Sequence, residues 1–123
     1  MTRPSVMVVD DDHDILDAVS VALEDRGYEV FPVASGEQAL LQLRIDRPDL
    51  ILLDLRMPGM SGPEFRAQQL KEPDIADVPV VILSADASIE RIAASLKVSG
   101  HLRKPITLQA LREMVARFAK SGA

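Results

Sequence analysis

A chain of 123 residues, 47% hydrophobic and 27% charged, has the size and composition of one compact domain with a single core and leaves nothing over for a second domain. Its net charge of −5, with no basic cluster, argues against nucleic-acid binding by the chain itself and favours proteins or a cation as partners. The chain has no cysteine, hence no disulfide or thiolate chemistry; its apolar runs fall far short of a membrane span, and Met1-Thr-Arg-Pro-Ser5 leaves no room for a signal peptide, so no membrane association and a cytoplasmic location are expected.

Strand-like and helix-like segments alternate along the chain. Val6-Met-Val-Val9 reads as a first buried strand that stops at Asp10-Asp11-Asp12. A helix follows over roughly 13 to 26, with Ile15, Leu16, Val19, Ala22 and Leu23 on one face and Gly27 placed to stop it. Tyr28 to Val33 reads as a second strand, and Pro32 marks it as an edge because proline cannot donate to a ladder. Ser35-Gly-Glu-Gln38 has the spacing of a capping box that opens a second helix, with Ala39, Leu40 and Leu43 inward, and Asp46-Arg-Pro48 ends it.

Ile51, Leu52 and Leu53 form an apolar run too short for a helix, as expected of a parallel strand covered on both faces. Pro58, Gly59 and Gly62 forbid a helix directly afterwards, which leaves Asp54 at the carboxyl end of this third strand. A third helix begins near Pro63, a residue suited to a first helical turn, and its apolar pattern is the weakest of the set. Glu72 to Pro79 is a polar loop, and Val80-Val-Ile-Leu83 a fourth buried strand ending at Ser84-Ala85. Ser88 is placed to cap a fourth helix with Ile89, Ile92, Ala93 and Leu96 on one side. Gly100 to Arg103 is a short fifth strand running into Lys104-Pro105, and Thr107 caps a last helix with Leu108, Leu111, Val115 and Phe118 inward. Five strands alternating with five helices predict an α/β domain, a parallel sheet with helices on both faces, since the handedness of crossover connections allows little else.

In such sheets ligands bind outside the carboxyl ends of the strands. Here those ends carry Asp10-Asp11, Asp54, Ser84 and Lys104. Three carboxylates held together repel and stay ionised only if a cation joins them. Oxygen donors with positions left for water suit Mg²⁺ (or Mn²⁺) better than the full protein cage that Ca²⁺ takes. With such an ion and Lys104 the charges nearly cancel, which suits acceptance of a phosphoryl group: Asp54 attacks phosphorus as a carboxylate nucleophile, Lys104 helps to neutralise the equatorial oxygens, and the Ser84 hydroxyl bonds one of them.

Asp10-Asp11, Asp54 with Met57-Pro58 and Gly62, Ser84-Ala85 and Lys104-Pro105 together resemble the receiver domain of two-component response regulators, over almost the full chain. The resemblance implies a flavodoxin-like (βα)5 three-layer fold with strand order 2-1-3-4-5. It also implies Asp54 as phospho-acceptor, Asp11 as a direct metal ligand, Asp10 as a ligand largely through water, and the backbone carbonyl of Arg56 completing the protein's share of the metal sphere. Ser84 would be the switch hydroxyl and Lys104 the partner of the phosphoryl group, with a cis bond to Pro105. The implied partners are a histidine kinase or a histidine phosphotransfer protein and an unidentified downstream protein. They would be reached through a face built from the fourth helix, fifth strand and fifth helix, with the chain a monomer or a weak phosphorylation-dependent dimer. Arg91, Lys97, Arg103, Arg112 and Met114 are the exposed candidates on that face. The short tail Lys120-Ser-Gly-Ala123 favours a free-standing receiver over one cut from a larger protein.

Asp12 and Asp14 suit capping of the first helix better than chemistry. A calcium loop over Asp10-x-Asp12-x-Asp14 fails, because Ile15 replaces the needed glycine and Val21 the bidentate glutamate. A phosphatase built on a nucleophilic aspartate would place a second aspartate two residues later, where this chain has Arg56. A degenerate receiver used only for docking is opposed by the intact set of Asp10, Asp11, Asp54, Ser84 and Lys104.

The chain departs from the family pattern at His101, where Tyr or Phe is common. A neutral imidazole there either couples to the switch hydroxyl, making output sensitive to pH near neutrality, or simply faces water. Arg56 and Asp86 lie two residues beyond Asp54 and Ser84, on positions that the resemblance places beside the path of the hydrolysing water. They either pair across the site and prolong the phosphorylated state or stand as separate surface charges.

Overall fold

In the computed structural model, which describes residues 3–119, five parallel strands and five helices alternate without exception. Met1-Thr2 and the tail Lys120-Ser-Gly-Ala123 lie outside the described residues. The strands are β1 (Ser5–Val9), β2 (Glu29–Val33), β3 (Leu50–Asp54), β4 (Val80–Ser84) and β5 (Gly100–Arg103), in spatial order β2-β1-β3-β4-β5. Between them run α1 (His13–Glu24), α2 (Gly36–Ile45), α3 (Gly62–Leu70), α4 (Ile89–Leu96) and α5 (Leu108–Phe118). The expected order and the edge position of β2 are both observed, with Pro32 exposed on β2.

Strict alternation along each strand divides the core in two. Val6, Val8, Leu50, Leu52, Val81, Leu83 and Leu102 pack with Leu16, Val19 and Leu23 of α1 and Leu111 and Val115 of α5. Met7, Val9, Ile51, Leu53 and Val80 face the other way, onto Ala39, Leu40 and Leu43 of α2 and Phe65 of α3. Ile82 joins Leu55 beneath Ile89 and Ala93 of α4. Because both faces of β1, β3 and β4 are covered, these strands are apolar at almost every position, and β3 and β4 each end at their carboxyl side in a polar residue, Asp54 and Ser84.

Several boundaries differ from expectation for local reasons. Helix α1 stops at Glu24, and the Tyr28 N–H is spent on the Leu23 carbonyl, so β2 begins only at Glu29; Gly27 supplies the positive φ of 89° that the turn needs. Ser35 does cap α2 through the Gln38 N–H, but the Gln38 side chain reaches the Ala34 N–H instead of closing the box on Ser35. The reciprocal capping box lies at Ser61 and Glu64 of α3. Ser88 does not cap α4 with its side chain, because its φ of −96° and ψ of 20° are not extended; its own N–H donates to the Asp86 carboxylate. Thr107 caps α5 as expected, yet Leu108 is 50% exposed rather than inward, since it falls in the first turn beyond the reach of the core.

The third helix has a weak apolar pattern because two of its inward positions are polar. Arg66 and Gln69 are buried beside Phe65 and bond to main-chain carbonyls of neighbouring segments. Gln69 also organises the loop after α3, which is less polar in space than in sequence: it buries Ile75 and Val78.

Gly62 illustrates how closely the turn after β3 returns to the strand. A Cβ here would lie 2.7 Å from the Asp54 carbonyl oxygen and 2.8 Å from the Leu55 Cα, both main-chain atoms that cannot swing aside. Gly62→Ala is therefore expected to cost about 1–3 kcal/mol in urea unfolding. An unchanged midpoint would mean that the turn relaxes freely and does not fix the end of β3.

Candidate functional site

The parallel register brings the carboxyl ends of the strands to one edge, Val9 beside Leu53, Asp54 beside Leu83, and Ser84 beside Arg103. A cleft of about 620 Å³ opens there, lined by Asp10, Asp11, Asp12, Asp54, Arg56, Ser84, Ala85, Asp86, Ala87 and Lys104. The candidate site residues Asp10, Asp11, Asp54, Arg56, Ser84, Ala85, Asp86 and Lys104 meet in this cleft, and His101 does not.

Asp10 is fully buried, its main chain tied to Val33 by a 3.1 Å N–H to carbonyl bond. One of its carboxylate oxygens accepts the Asp12 N–H at 2.9 Å and the other accepts Lys104 Nζ at 3.0 Å. Lys104 also donates to Asp54 at 3.3 Å, and its own main-chain N–H donates to the Ser84 carbonyl at 2.9 Å. The Lys104-Pro105 bond is cis. Asp54 closes β3 and is only 6% exposed. Asp12 caps α1 through the Asp14 N–H, as expected of a residue outside the chemistry.

Carboxylate oxygens of Asp10, Asp11 and Asp54 lie within 4.8 Å of one another. Two are buried, while Asp11 is exposed at the mouth of the cleft. Hard oxygen donors gathered this closely, with open space on one side, fit a divalent cation that keeps part of its water shell. The electrostatics of Asp54 agree with that need: burial and the neighbouring Asp10 charge push its pKa up, against the opposing pull of Lys104 and the Arg56 backbone N–H. Burial works against the charge of Lys104, but the bond to Asp10 and the charges of both carboxylates raise its pKa on balance. The ammonium thus stays charged while the acid beside it is held back from ionising freely.

The loop after β4 is organised by Asp86, whose part in the loop's hydrogen bonding was not legible in the sequence. Its N–H donates to Ser84 Oγ at 3.0 Å, and one carboxylate oxygen accepts the Ser88 N–H at 2.7 Å. The other carboxylate oxygen accepts Arg56 Nη2 at 2.9 Å, and the Asp86 carbonyl accepts Arg103 Nη1 at 3.0 Å. The Ser88 N–H and the Arg56 guanidinium together hold its carboxyl below the usual range. Of the two sequence alternatives for Arg56 and Asp86, the pair across the cleft is the one observed. The spacing Asp86-x-Ser88 is an Asx-turn pattern and was the available signal.

His101 sits half-buried on β5 opposite Ile82, outside the cleft. Alternation places it on the α4 side of the sheet, since Leu102 packs toward α1 and α5. On the expected partner face, Arg91, Lys97 and Arg103 are exposed. Arg112 and Met114 are not: Arg112 reaches across to Asp25 and the Ala22 carbonyl at the end of α1, and Met114 packs against Gly100.

An open α/β sheet of order 2-1-3-4-5 with an acidic cleft and a lysine at its carboxyl edge defines a recognisable class of domain. The family model described as response regulator receiver domain matches residues 6–116, and the chain belongs to that family. It is 31% identical over 122 residues to sporulation initiation phosphotransferase F of Bacillus subtilis, covering 96% of this chain and 95% of that relative. It is 39% identical over 119 residues to transcriptional regulatory protein PrrA of Mycobacterium tuberculosis, covering 95% of this chain. It spans only 49% of PrrA, and 17% of a two-component response regulator of Arabidopsis thaliana that it also matches. Among solved structures it resembles chemotaxis response regulator CheY4 of Vibrio cholerae, with a TM-score of 0.88, 32% identity, and coverage of 95% of this chain and 99% of that one. The protein is thus a receiver domain of the two-component type, a class that works with histidine kinases or phosphotransfer proteins and with downstream effectors. No helix among the described residues is long and apolar enough to cross a membrane.

The raised pKa of Asp54 has a consequence for stability in metal-free buffer. The folded chain keeps a proton on Asp54 that the unfolded chain has already released, so this group favours folding at low pH. That contribution is lost as pH climbs from the ordinary aspartate range through the elevated value. Asp54→Asn, which cannot ionise, should therefore be more stable than the wild type at neutral pH in the presence of a chelator. The gap should close as pH falls into the ordinary aspartate range or as Mg²⁺ is added to the wild type. Urea unfolding across pH checks this, and equal stabilities at neutral pH would contradict it.

Proposed function

We propose that this domain accepts a phosphoryl group on Asp54 from a histidine kinase or a histidine phosphotransfer protein, with Mg²⁺ (or Mn²⁺) held by Asp10, Asp11, Asp54 and the Arg56 carbonyl. The observation that carries the reading is the meeting of three carboxylates, a lysine and a hydroxyl in one open cleft on a rigid sheet edge. A carboxylate oxygen of Asp54 forms the new bond to phosphorus, while the bond to the donor's nitrogen or acyl oxygen breaks and the electron pair leaves with the donor. Bound Mg²⁺ would supply neutralisation of charge on the phosphoryl oxygens.

The chain's own groups divide the remaining work. Lys104, already within 3.3 Å of Asp54 and 3.0 Å of Asp10, moves its bonds onto the phosphoryl oxygens as Asp54 gives up its negative charge. Ser84, whose hydroxyl oxygen now accepts the Asp86 N–H, turns its proton to a phosphoryl oxygen and draws the loop after β4 inward. The result is a shift in population between two arrangements of the α4-β5-α5 face, read by a protein partner. The phosphorylated domain is the signal, and the reaction is the domain's own modification, not turnover of a substrate. A phosphorylation-independent docking module would have no need of a buried, like-charged pair such as Asp10 and Asp54.

The deciding experiment is intact mass after incubation with Mg²⁺ and acetyl phosphate. Wild type should gain one phosphoryl group; Asp54→Ala, or omission of the metal, should abolish the gain. No gain under any condition would leave docking as the better reading.

The Arg56–Asp86 pair lies over the same cleft and screens the acyl phosphate from water, so it should prolong the modified state. Arg56→Ala should hydrolyse its phosphoryl group several-fold faster, by about the factor expected for a group worth 1 kcal/mol in a barrier. A decay rate unchanged from the wild type would remove the screening role while leaving Asp54 as acceptor.

A further inference from the structure

The two ends of α4 are held by different parts of the molecule. At the amino end, Asp86 takes the Ser88 N–H on its carboxylate and the Ile89 N–H on its carbonyl, and its own N–H is bound to Ser84 Oγ. That end of the helix is therefore linked directly to the hydroxyl at the cleft. At the carboxyl end, the buried guanidinium of Arg66, projecting from α3, donates to the Leu96 carbonyl at 3.1 Å and the Lys97 carbonyl at 2.8 Å. Its third bond, 2.8 Å long, goes to Gln69 Oε1, and the Gln69 amide donates in turn to the Ile75 and Val78 carbonyls at 2.9 and 3.1 Å.

This chain of bonds joins the end of α4 to α3 and to the segment leading into β4. Lys97, in the left-handed conformation with φ of 55°, is fixed there by the same contact. Arg66 is only 8% exposed, and its acceptors are uncharged carbonyl and amide oxygens. A buried cation needs its donors satisfied in directed geometry, so breaking these bonds by sliding α4 would strand the charge. The amino half of α4 is held by Asp86, whose bonds lead back to the cleft, and by the packing of Ile89 and Ala93 on Leu55 and Ile82, apolar contact that is non-directional and tolerates small shifts.

We propose that Arg66 makes the carboxyl end of α4 a fixed pivot, so that the phosphorylation-dependent change is confined to residues 86–92 and the partner reads that amino half of the helix. The inference rests on the acceptor reading of Asp54 and specifies which part of the face moves. Glu90 and Arg91, both exposed there, are the side chains carried farthest, whereas Lys97 stays in place.

Hydrogen exchange with and without Mg²⁺ and beryllium fluoride, a stable stand-in for the phosphoryl group, tests the pivot on the intact chain. In the wild type, exchange across 86–92 should change about tenfold or more, with 94–98 within about twofold. In Arg66→Met, which removes the charge and keeps the bulk, the change should spread into 94–98. Arg66→Lys, which keeps the charge but cannot span all three acceptors, should behave likewise and serves if the methionine variant does not fold. Equal changes at both ends in the wild type, or a wild-type profile in the variants, would overturn the pivot while leaving the acceptor intact. No change anywhere from Ser84 to Ile92 would overturn the acceptor reading and the pivot with it.

Discussion

Two buried carboxylates, Asp10 and Asp54, share one ammonium, and much of the domain's architecture serves that arrangement. Like charges so placed are tolerable only because Lys104 reaches both and because the cleft stays open for a further cation. Lys104 can reach them because β5 runs beside β4 in parallel register, with the Lys104 main chain fastened to Ser84. Asp10 is held by its Val33 and Asp12 contacts, and Asp54 by a turn so tight that Gly62 has no room for a side chain. Each charge is thus set by a strand end, and the strand ends are set by a core that is apolar on both faces.

The same core explains why the sequence was so readable. Strands covered on both sides must be continuous apolar runs, so the residues that interrupt them at their carboxyl ends stand out against that background. The five strands, their order and the meeting of Asp10, Asp11, Asp54, Ser84 and Lys104 could be reached in this way, the order through family resemblance. What could not be read were polar side chains whose partners are distant main-chain atoms. Arg66 and Gln69 look like surface residues of a poorly patterned helix, because nothing local signals the carbonyls of Leu96, Lys97, Ile75 and Val78 that they satisfy. Arg112 was misplaced for the same reason, its partners lying on α1. Local geometry misled elsewhere: Ser88 has the right identity and position for a cap, but its non-extended backbone leaves its side chain without a cap bond.

Asp86 and Arg66 play complementary parts. Asp86 is a junction of contacts drawn from the loop after β3, from β4 and from β5, at the edge of the cleft. Arg66 is a junction of contacts remote from the cleft, buried and with each guanidinium nitrogen bonded. Under the proposed pivot, a short helix suspended between these two junctions would convert a change of a few bonds at the cleft into a tilt.

Pro32 on the edge strand β2 also bears on how these molecules behave together. Val33 points its main-chain groups at β1, as its carbonyl bond to Asp10 requires, so alternation turns those of Val30 and Pro32 to the open side. Proline has no N–H, which leaves Val30 as the single outward donor within β2. An incoming strand from a second molecule would find too few donors there to extend the sheet. At the opposite edge, β5 is only 4 residues long and ends in the charged Arg103. Both margins of the sheet are therefore poor templates for strand addition, and crowded molecules are steered toward contact through their helices instead of into fibrils.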